Sequence, residues 1–311
     1  MLLDVEMPDM DGFETIAHLK EAPLLKHIPV IFLTGNRDTA TEVKCLESGA
    51  MDFISKPANV DILRHRIELH LQFSTYQLHL EQMVKELEDN IGVSFAELLD
   101  CKDYNVAGHV LRTGQYAELL ARELLKSGLF KNEITAADVD MIKRAAPFHD
   151  IGKIGVSDII LLKRAALTKE EKQEIRKHTV IGGQMLKQIY ERTPDQKYMK
   201  MAMTIAEGHH ERYDGAGYPQ GLKGDEIPLA ARIMALANVY TACTTDRVYR
   251  KGLSHEEVCT IIRNGRGTEF DPHVVDAFDK VQKKFAAISG APIPPEDEHG
   301  WSFIYETNTG S

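Results

Sequence analysis

Two stretches decide the reading: His149-Asp150-Ile151-Gly152-Lys153, and His209-His210-Glu211-Arg212-Tyr213-Asp214-Gly215-Ala216-Gly217-Tyr218-Pro219. An adjacent His-Asp pair is weak evidence by itself in a chain with 13 histidines. Its context strengthens it. Lys153 lies four residues after His149 and three after Asp150, so on a helix it shares their face and can steer a phosphate towards a bound metal. In the second stretch, two neighbouring imidazoles at the mouth of a glycine-rich turn can point at two metals. Gly215 and Gly217 permit positive φ and close backbone approach, and Pro219 stiffens the exit. His178 is the third histidine position, unremarkable alone. Imidazole and carboxylate donors suit Fe, Mn or Ni, with Zn as a further option. The four cysteines (Cys45, Cys101, Cys243 and Cys259) lack the spacing of a structural zinc site.

Working outward, residues from about Leu99 to Ala287 are helical in pattern and broken by the loop at Asp214 to Gly224. A basic cluster, Arg247-Val248-Tyr249-Arg250-Lys251, stands out in a chain with 37 Lys and Arg against 47 Asp and Glu, a net charge of −10. Arginines there suit a phosphate clamp, because guanidinium binds oxyanions bidentately. The acidic balance argues against a general nucleic-acid binder, so no DNA partner is expected. No apolar run reaches the ~20 residues of a membrane span, no secretory signal is visible, and scattered thiols read as reduced. The expected location is the cytoplasm.

The first seventy residues alternate short apolar strands with helices: a strand ending at Asp4, a helix Phe13–Lys20, a strand Pro29–Leu33, a helix Thr39–Ser48 closed by Gly49, a strand Asp52–Ile54 and a helix from about Asn59. This is the pattern of a doubly wound parallel sheet. It places a carboxylate (Asp4), a hydroxyl (Thr34) and an ammonium (Lys56) at three strand ends, where such folds put their sites. From about Val60 to Leu99 the chain reads as one long helix. Its apolar positions fit either a two-stranded coil in a homodimer or a helix packed on its own domain.

Two resemblances follow from these residues. Leu3-Asp4, Met7-Pro8-Asp9-Met10-Asp11-Gly12, Leu33-Thr34-Gly35 and Ser55-Lys56-Pro57 resemble the receiver domain of two-component response regulators. That implies Asp4 as phosphoacceptor, Thr34 and Lys56 as switch residues, and a cognate histidine kinase. The match starts at the family's third strand, so the expectation is an N-terminally truncated receiver whose Asp4 accepts phosphoryl groups poorly. The two histidine stretches resemble the HD-GYP domain, as do Gly221–Pro228, Arg247–Arg250 and Phe270–Pro272. This family is all-helical and cleaves cyclic di-GMP to pGpG and GMP with two or three divalent metals.

The resemblance implies His149, Asp150, His178, His209 and His210 as metal ligands, with Asp100 near the position of an acidic ligand to the extra metal. It also implies Asp150 and Lys153 as catalytic groups, Lys153 on the scissile phosphate. Arg247, Arg250, Gly217, Tyr218 and Pro219 would be substrate contacts. A GGDEF-type partner is a further implication.

The family has carboxylates at the positions of Asn238 and Thr241, and Asn238 would replace a metal-ligating Asp. Two functions therefore stand side by side: a metal-dependent cyclic di-GMP phosphodiesterase as response-regulator output, and a catalytically weakened receptor or scaffold for a cyclic dinucleotide. The expected organisation is a receiver over residues 1–70, a linker helix over 71–98, an HD-GYP domain over 99–288 and an extended tail over 289–311.

Overall fold

A computed structural model describes the chain except for residues 23–24, 26–27, 36–38, 103–108, 164, 193–196, 247–250 and 291–311, and the side chains of 96, 99–102 and 109. The chain divides into two compact units, Met1–Leu87 and Glu88–Ser311.

The first unit is a partial α/β layer. Strands β1 (Leu2–Asp4), β2 (Ile31–Thr34) and β3 (Asp52–Ser55) form a parallel sheet in the order β1-β2-β3. Helices α1 (Gly12–Glu21) and α2 (Thr39–Glu47) make the crossovers that parallel neighbours require. Asp11 starts α1 as a capping box: it accepts from the Glu14 amide, and Glu14 returns a bond to the Asp11 amide. Gly12 is required where α1 begins, since a Cβ there would lie 2.4 Å from the Asp4 carbonyl oxygen. Leu3, Ile16, Phe32 and Cys45 close a small core. The start of α3 (Val60–Lys102) is tied to β3 by Arg66, which reaches both Asp52 oxygens at 2.9 and 2.8 Å, and by His70 at 3.1 Å.

The second unit is helical. After the last turns of α3 come α4 (His109–Ser127), α5 (Ala136–Ala145), two 3₁₀ turns (Ala146–Phe148 and Ile151–Gly155) and α6 (Asp158–Leu161). Then follow α7 (Lys169–Arg176), α8 (His178–Arg192), α9 (Lys197–Gly208), a 3₁₀ turn (Gly224–Glu226), α10 (Leu229–Thr244), α11 (His255–Asn264) and α12 (Pro272–Gly290). Helix α10 is the axis: Ile233, Met234, Leu236, Ala237 and Tyr240 are all buried, and a helix apolar on every side belongs in a core. Tyr116 and Phe285 stack at 4.4 Å, and Tyr240 meets both edge-on at 4.9 Å. Each such ring contributes roughly 2–3 kcal/mol by burial.

The one charge on α10, Arg232, is paired with buried Asp271 at 2.7 Å, with Asp225 at 2.9 Å and with Glu133 at 3.2 Å. Among the described residues no helix is long and apolar enough to cross a membrane.

Candidate metal centre

The His149-Asp150 pair sits between the two 3₁₀ turns, not on an α-helix as the spacing suggested. The tighter turn still aligns i with i+3, because three residues complete it. Lys153 Nζ accordingly lies 2.9 Å from Asp150 Oδ2. The turn is pressed onto α8: a Cβ on Gly152 would stand 1.8 Å from the His178 carbonyl oxygen and 2.5 Å from the Gly182 nitrogen. That close approach carries Asp150 to His178, whose Nε2 lies 3.3 Å from Asp150 Oδ1. His209 and His210 follow directly after the last residue of α9.

Asp150, His178, His209 and His210 each present one ligand atom, all within 4.8 Å of one another. His149 adjoins them, its Nε2 3.2 Å from Asp150 Oδ2. The donor chemistry fits a cation. The Nδ1 atoms face backbone carbonyls: His149 that of Ala146 at 2.8 Å, His178 that of Ile175 at 2.7 Å, His209 those of Ile205 and Ala206 at 3.1 Å. Each carbonyl fixes the proton on Nδ1 and turns the Nε2 lone pair into the cluster. The Nε2 atoms of His178 and His209 then face each other at 3.4 Å, lone pair towards lone pair, which a positive ion between them relieves. Asp150 Oδ1 is buried and accepts no well-formed hydrogen bond among the described residues.

Electrostatics agree. Burial pushes His178 down and His209 well below the ordinary range, and brings His210 down to about 3. Burial also opposes ionisation of Asp150, but Lys153 and His149 outweigh it and hold the carboxyl well below its usual value. At His149, burial pushes down and the neighbouring Asp150 more than offsets it, so the imidazole is raised. Neutral imidazoles at His178, His209 and His210 around an ionised Asp150 are the protonation states metal binding needs.

The glycine-rich loop folds back over this cluster. Gly215 has φ +84°, and a Cβ on Gly217 would lie 2.2 Å from the Arg212 nitrogen. Tyr218 stacks on His210, with centroids 4.8 Å apart and planes 21° apart. The Arg176 guanidinium also lies on this ring, its carbon 4.8 Å from the centroid. Burial pushes the Tyr218 phenol up to about 12. Arg176, His210, Arg212, Tyr218, Asn238 and Glu269 border one pocket.

Two of these features escaped the sequence reading. Glu211 is buried, and its carboxylate accepts from the Gln220 amide at 2.7 Å and the Leu222 amide at 3.1 Å, stapling the loop's two ends. Its one signal was an acid inside a turn rich in unpaired amides. Arg176 carried no sequence signal.

Asn238 lines the pocket beside His209 and His210. Thr241 is buried; it accepts from the Thr113 hydroxyl at 3.0 Å and donates to the Ala237 carbonyl at 2.8 Å, so the neutral hydroxyl is integrated into the core. Arg247 and Arg250 lie outside the described residues, as does the Asp100 side chain.

In the first unit, Asp4 ends β1, Thr34 ends β2 and Lys56 follows β3, at one edge of the sheet. Lys56 donates to Asp4 Oδ2, and its ammonium lowers the Asp4 carboxyl. Thr34 is buried, and its carbonyl accepts the Lys56 amide at 2.7 Å.

Comparison with known proteins agrees with this architecture. Residues 95–274 match the HD domain family and residues 1–68 the response regulator receiver domain. The chain belongs to the HD-domain family, with its HD domain behind a receiver region. Membership implies a divalent metal, and the Asp/His cluster has the donors for one. A Vibrio cholerae serotype O1 protein named "Probable cyclic di-GMP phosphodiesterase" is 38% identical over 94% of this chain and 72% of its own length. A "Cyclic di-GMP phosphodiesterase response regulator" of Xanthomonas campestris pv. campestris is 33% identical over 93% of this chain and 77% of its own. A Thermotoga maritima protein named "Cyclic di-GMP phosphodiesterase" is 32% identical over 99% and 86% respectively.

Proposed function

We propose that this chain hydrolyses cyclic di-GMP to pGpG and onward to GMP, as the metal-dependent output of a two-component response regulator in the cytoplasm. The observation that carries the reading is the convergence of Asp150, His178, His209 and His210 beneath a loop whose Tyr218 lies on a ligand imidazole. Two or three divalent ions, Fe, Mn or Ni with Zn as the further option, suit these donors. His149, Asp150, His178, His209 and His210 hold them, with Asn238 and Asp100 as further ligands. When bound, the metal supplies Lewis acidity towards phosphate oxygens and a water acidified towards neutral pH.

The chain's own groups do the rest. Lys153, held by Asp150, brings a cation to the developing phosphate charge. Tyr218, between Gly217 and Pro219, walls the pocket, and Arg247 and Arg250 neutralise substrate phosphates. The named relatives support the substrate.

On this reading residues 1–70 receive a phosphoryl group on Asp4 from a histidine kinase, with Thr34 and Lys56 as switch. Residues 71–98 transmit the change, 99–288 respond and 289–311 form a tail. Exposed Phe73, Tyr76, Leu80, Met83 and Leu87 follow the three-four spacing of a coiled-coil seam, which supports a homodimer through this helix. A GGDEF-type partner would supply the substrate.

One observation favours the receptor reading as well. Asn238 brings an amide dipole, not a charge, to the pocket, and Thr241 a neutral hydroxyl to the core. An anionic ligand balances metal charge that an amide cannot. We expect excess Mn²⁺ or Fe²⁺ to be needed for slow turnover, and Asn238→Asp to raise metal content and rate by ~10-fold or more. Metal analysis and pGpG formation, side by side for both proteins, test this. Equal fast turnover removes the role given to Asn238. No turnover in either, with cyclic di-GMP still bound, decides for the receptor.

A further inference from the structure

Arg176 is the last residue of α7, two positions before His178, and no motif singled it out. Its guanidinium lies over Tyr218, on whose ring His210 is also stacked. The other described arginine at this pocket is committed: Arg212 is bonded to Asp214 at 3.1 and 2.6 Å and lies 3.9 Å from Glu269. Arg176 shows no carboxylate partner among the described residues, in a chain with 47 acidic ones. A guanidinium lying on an aromatic face keeps its N–H donors directed outward in its own plane, ready for a planar acceptor pair.

Position selects the acceptor. A scissile phosphate must sit at the Asp150–His178–His209–His210 cluster. Tyr218 stacks on the ligand His210 and also carries the Arg176 guanidinium, so Arg176 borders the pocket beside the ring and not among the ligand atoms, a place suited to a base and not to the reacting phosphorus. Among nucleobases, guanine offers the N7 and O6 acceptor pair that a guanidinium meets bidentately, whereas adenine replaces O6 with a donor amine.

Resting on the reading of the site as a cyclic dinucleotide site, we propose that Arg176, held on Tyr218, is a specificity-determining residue that binds the N7/O6 edge of one guanine. The inference goes beyond hydrolysis itself. It gives the pocket a means of preferring guanine over adenine through a residue outside the metal-ligand and loop motifs.

The test uses the full metal-loaded chain, with dissociation constants for hydrolysis-resistant phosphorothioate analogues of cyclic di-GMP and cyclic di-AMP measured by equilibrium dialysis and KM for cyclic di-GMP alongside. Wild type is expected to prefer cyclic di-GMP. Arg176→Ala is expected to weaken cyclic di-GMP ~10-fold, the scale of one bidentate base contact, and cyclic di-AMP less than twofold. Arg176→Lys keeps the charge but not the fork and is expected to behave like the alanine variant. Arg176 is exposed, so its replacement leaves the fold intact.

Equal weakening of both dinucleotides by alanine, with rescue by lysine, means a phosphate contact and overturns the proposal. An unchanged preference overturns it too while leaving the functional reading standing. Failure of the wild-type protein to bind either dinucleotide sinks that reading, and this proposal with it.

Discussion

Replacing Glu211 with alanine removes the acceptor for two backbone amides, those of Gln220 and Leu222, on a side chain that is 3% exposed. A bond from an amide to a charged acceptor contributes about 1.5 kcal/mol at the lower end, so the pair amounts to ~3 kcal/mol. A unit of this size loses roughly 2–4 °C of melting temperature per kcal/mol, which sets the expected fall at ~6–12 °C. Glu211→Gln keeps the shape but turns an amide donor towards one of the two N–H groups, so about half of the loss or more should remain. Scanning calorimetry in EDTA, following the transition of the helical unit, keeps metal loss from contributing. The same variants should also bind cyclic di-GMP more weakly, because the stapled loop is what lays Tyr218 on His210. A melting temperature within 2 °C of wild type for Glu211→Ala would refute the argument that this carboxylate closes the loop.

Three further outcomes are expected. Gly152→Ala drives a Cβ into the His178 carbonyl and separates the 3₁₀ turn from α8, so metal content by elemental analysis should drop at least ~10-fold, as when a ligand's support is lost; a normal content would show that the turn can shift without cost. In metal-stripped protein, His178, His209 and His210 resist protonation in the folded state, while the unfolded chain takes up protons below ~6.5. Their contribution to stability is therefore present above that pH and is lost as the pH falls towards 4. The raised His149 runs the other way, but one group opposes three. A melting temperature that stays flat between pH 7 and 4.5 would contradict this. Finally, Lys56→Met removes the ammonium that holds Asp4 down, so the Asp4 carboxyl should return towards ~3.9 in an NMR titration; an unmoved value would assign its shift to another cause.

Much of the fold was legible because its signals are local. The strands read as ending at Asp4, at Leu33 and at Ile54 were marked by short apolar runs broken by polar residues, and α1 by the helical pattern of Phe13–Lys20. The periodic pattern also indicated the helical unit and the loop that interrupts it. Periodicity could not separate a 3₁₀ turn from an α-helix at Ile151–Gly155, since both place Lys153 on the side of Asp150. The difference comes from packing, because Gly152 must press against α8.

By itself, then, the sequence determined which chemical groups this protein brings to its site: the imidazoles and carboxylate, the lysine beside them, the glycines of the loop and the amide at Asn238. These are properties of residue type and short spacing, and they survive without knowledge of the fold. Only the tertiary structure decided which groups meet. His178 reaches Asp150 across 28 positions because a glycine permits two backbones to touch. Glu211 faces inward because two amides nine and eleven residues later need an acceptor. Arg176 comes to rest on Tyr218, a loop residue, from the end of α7. Such contacts arise from close packing between segments far apart in the chain, and no local pattern of residues encodes that distance.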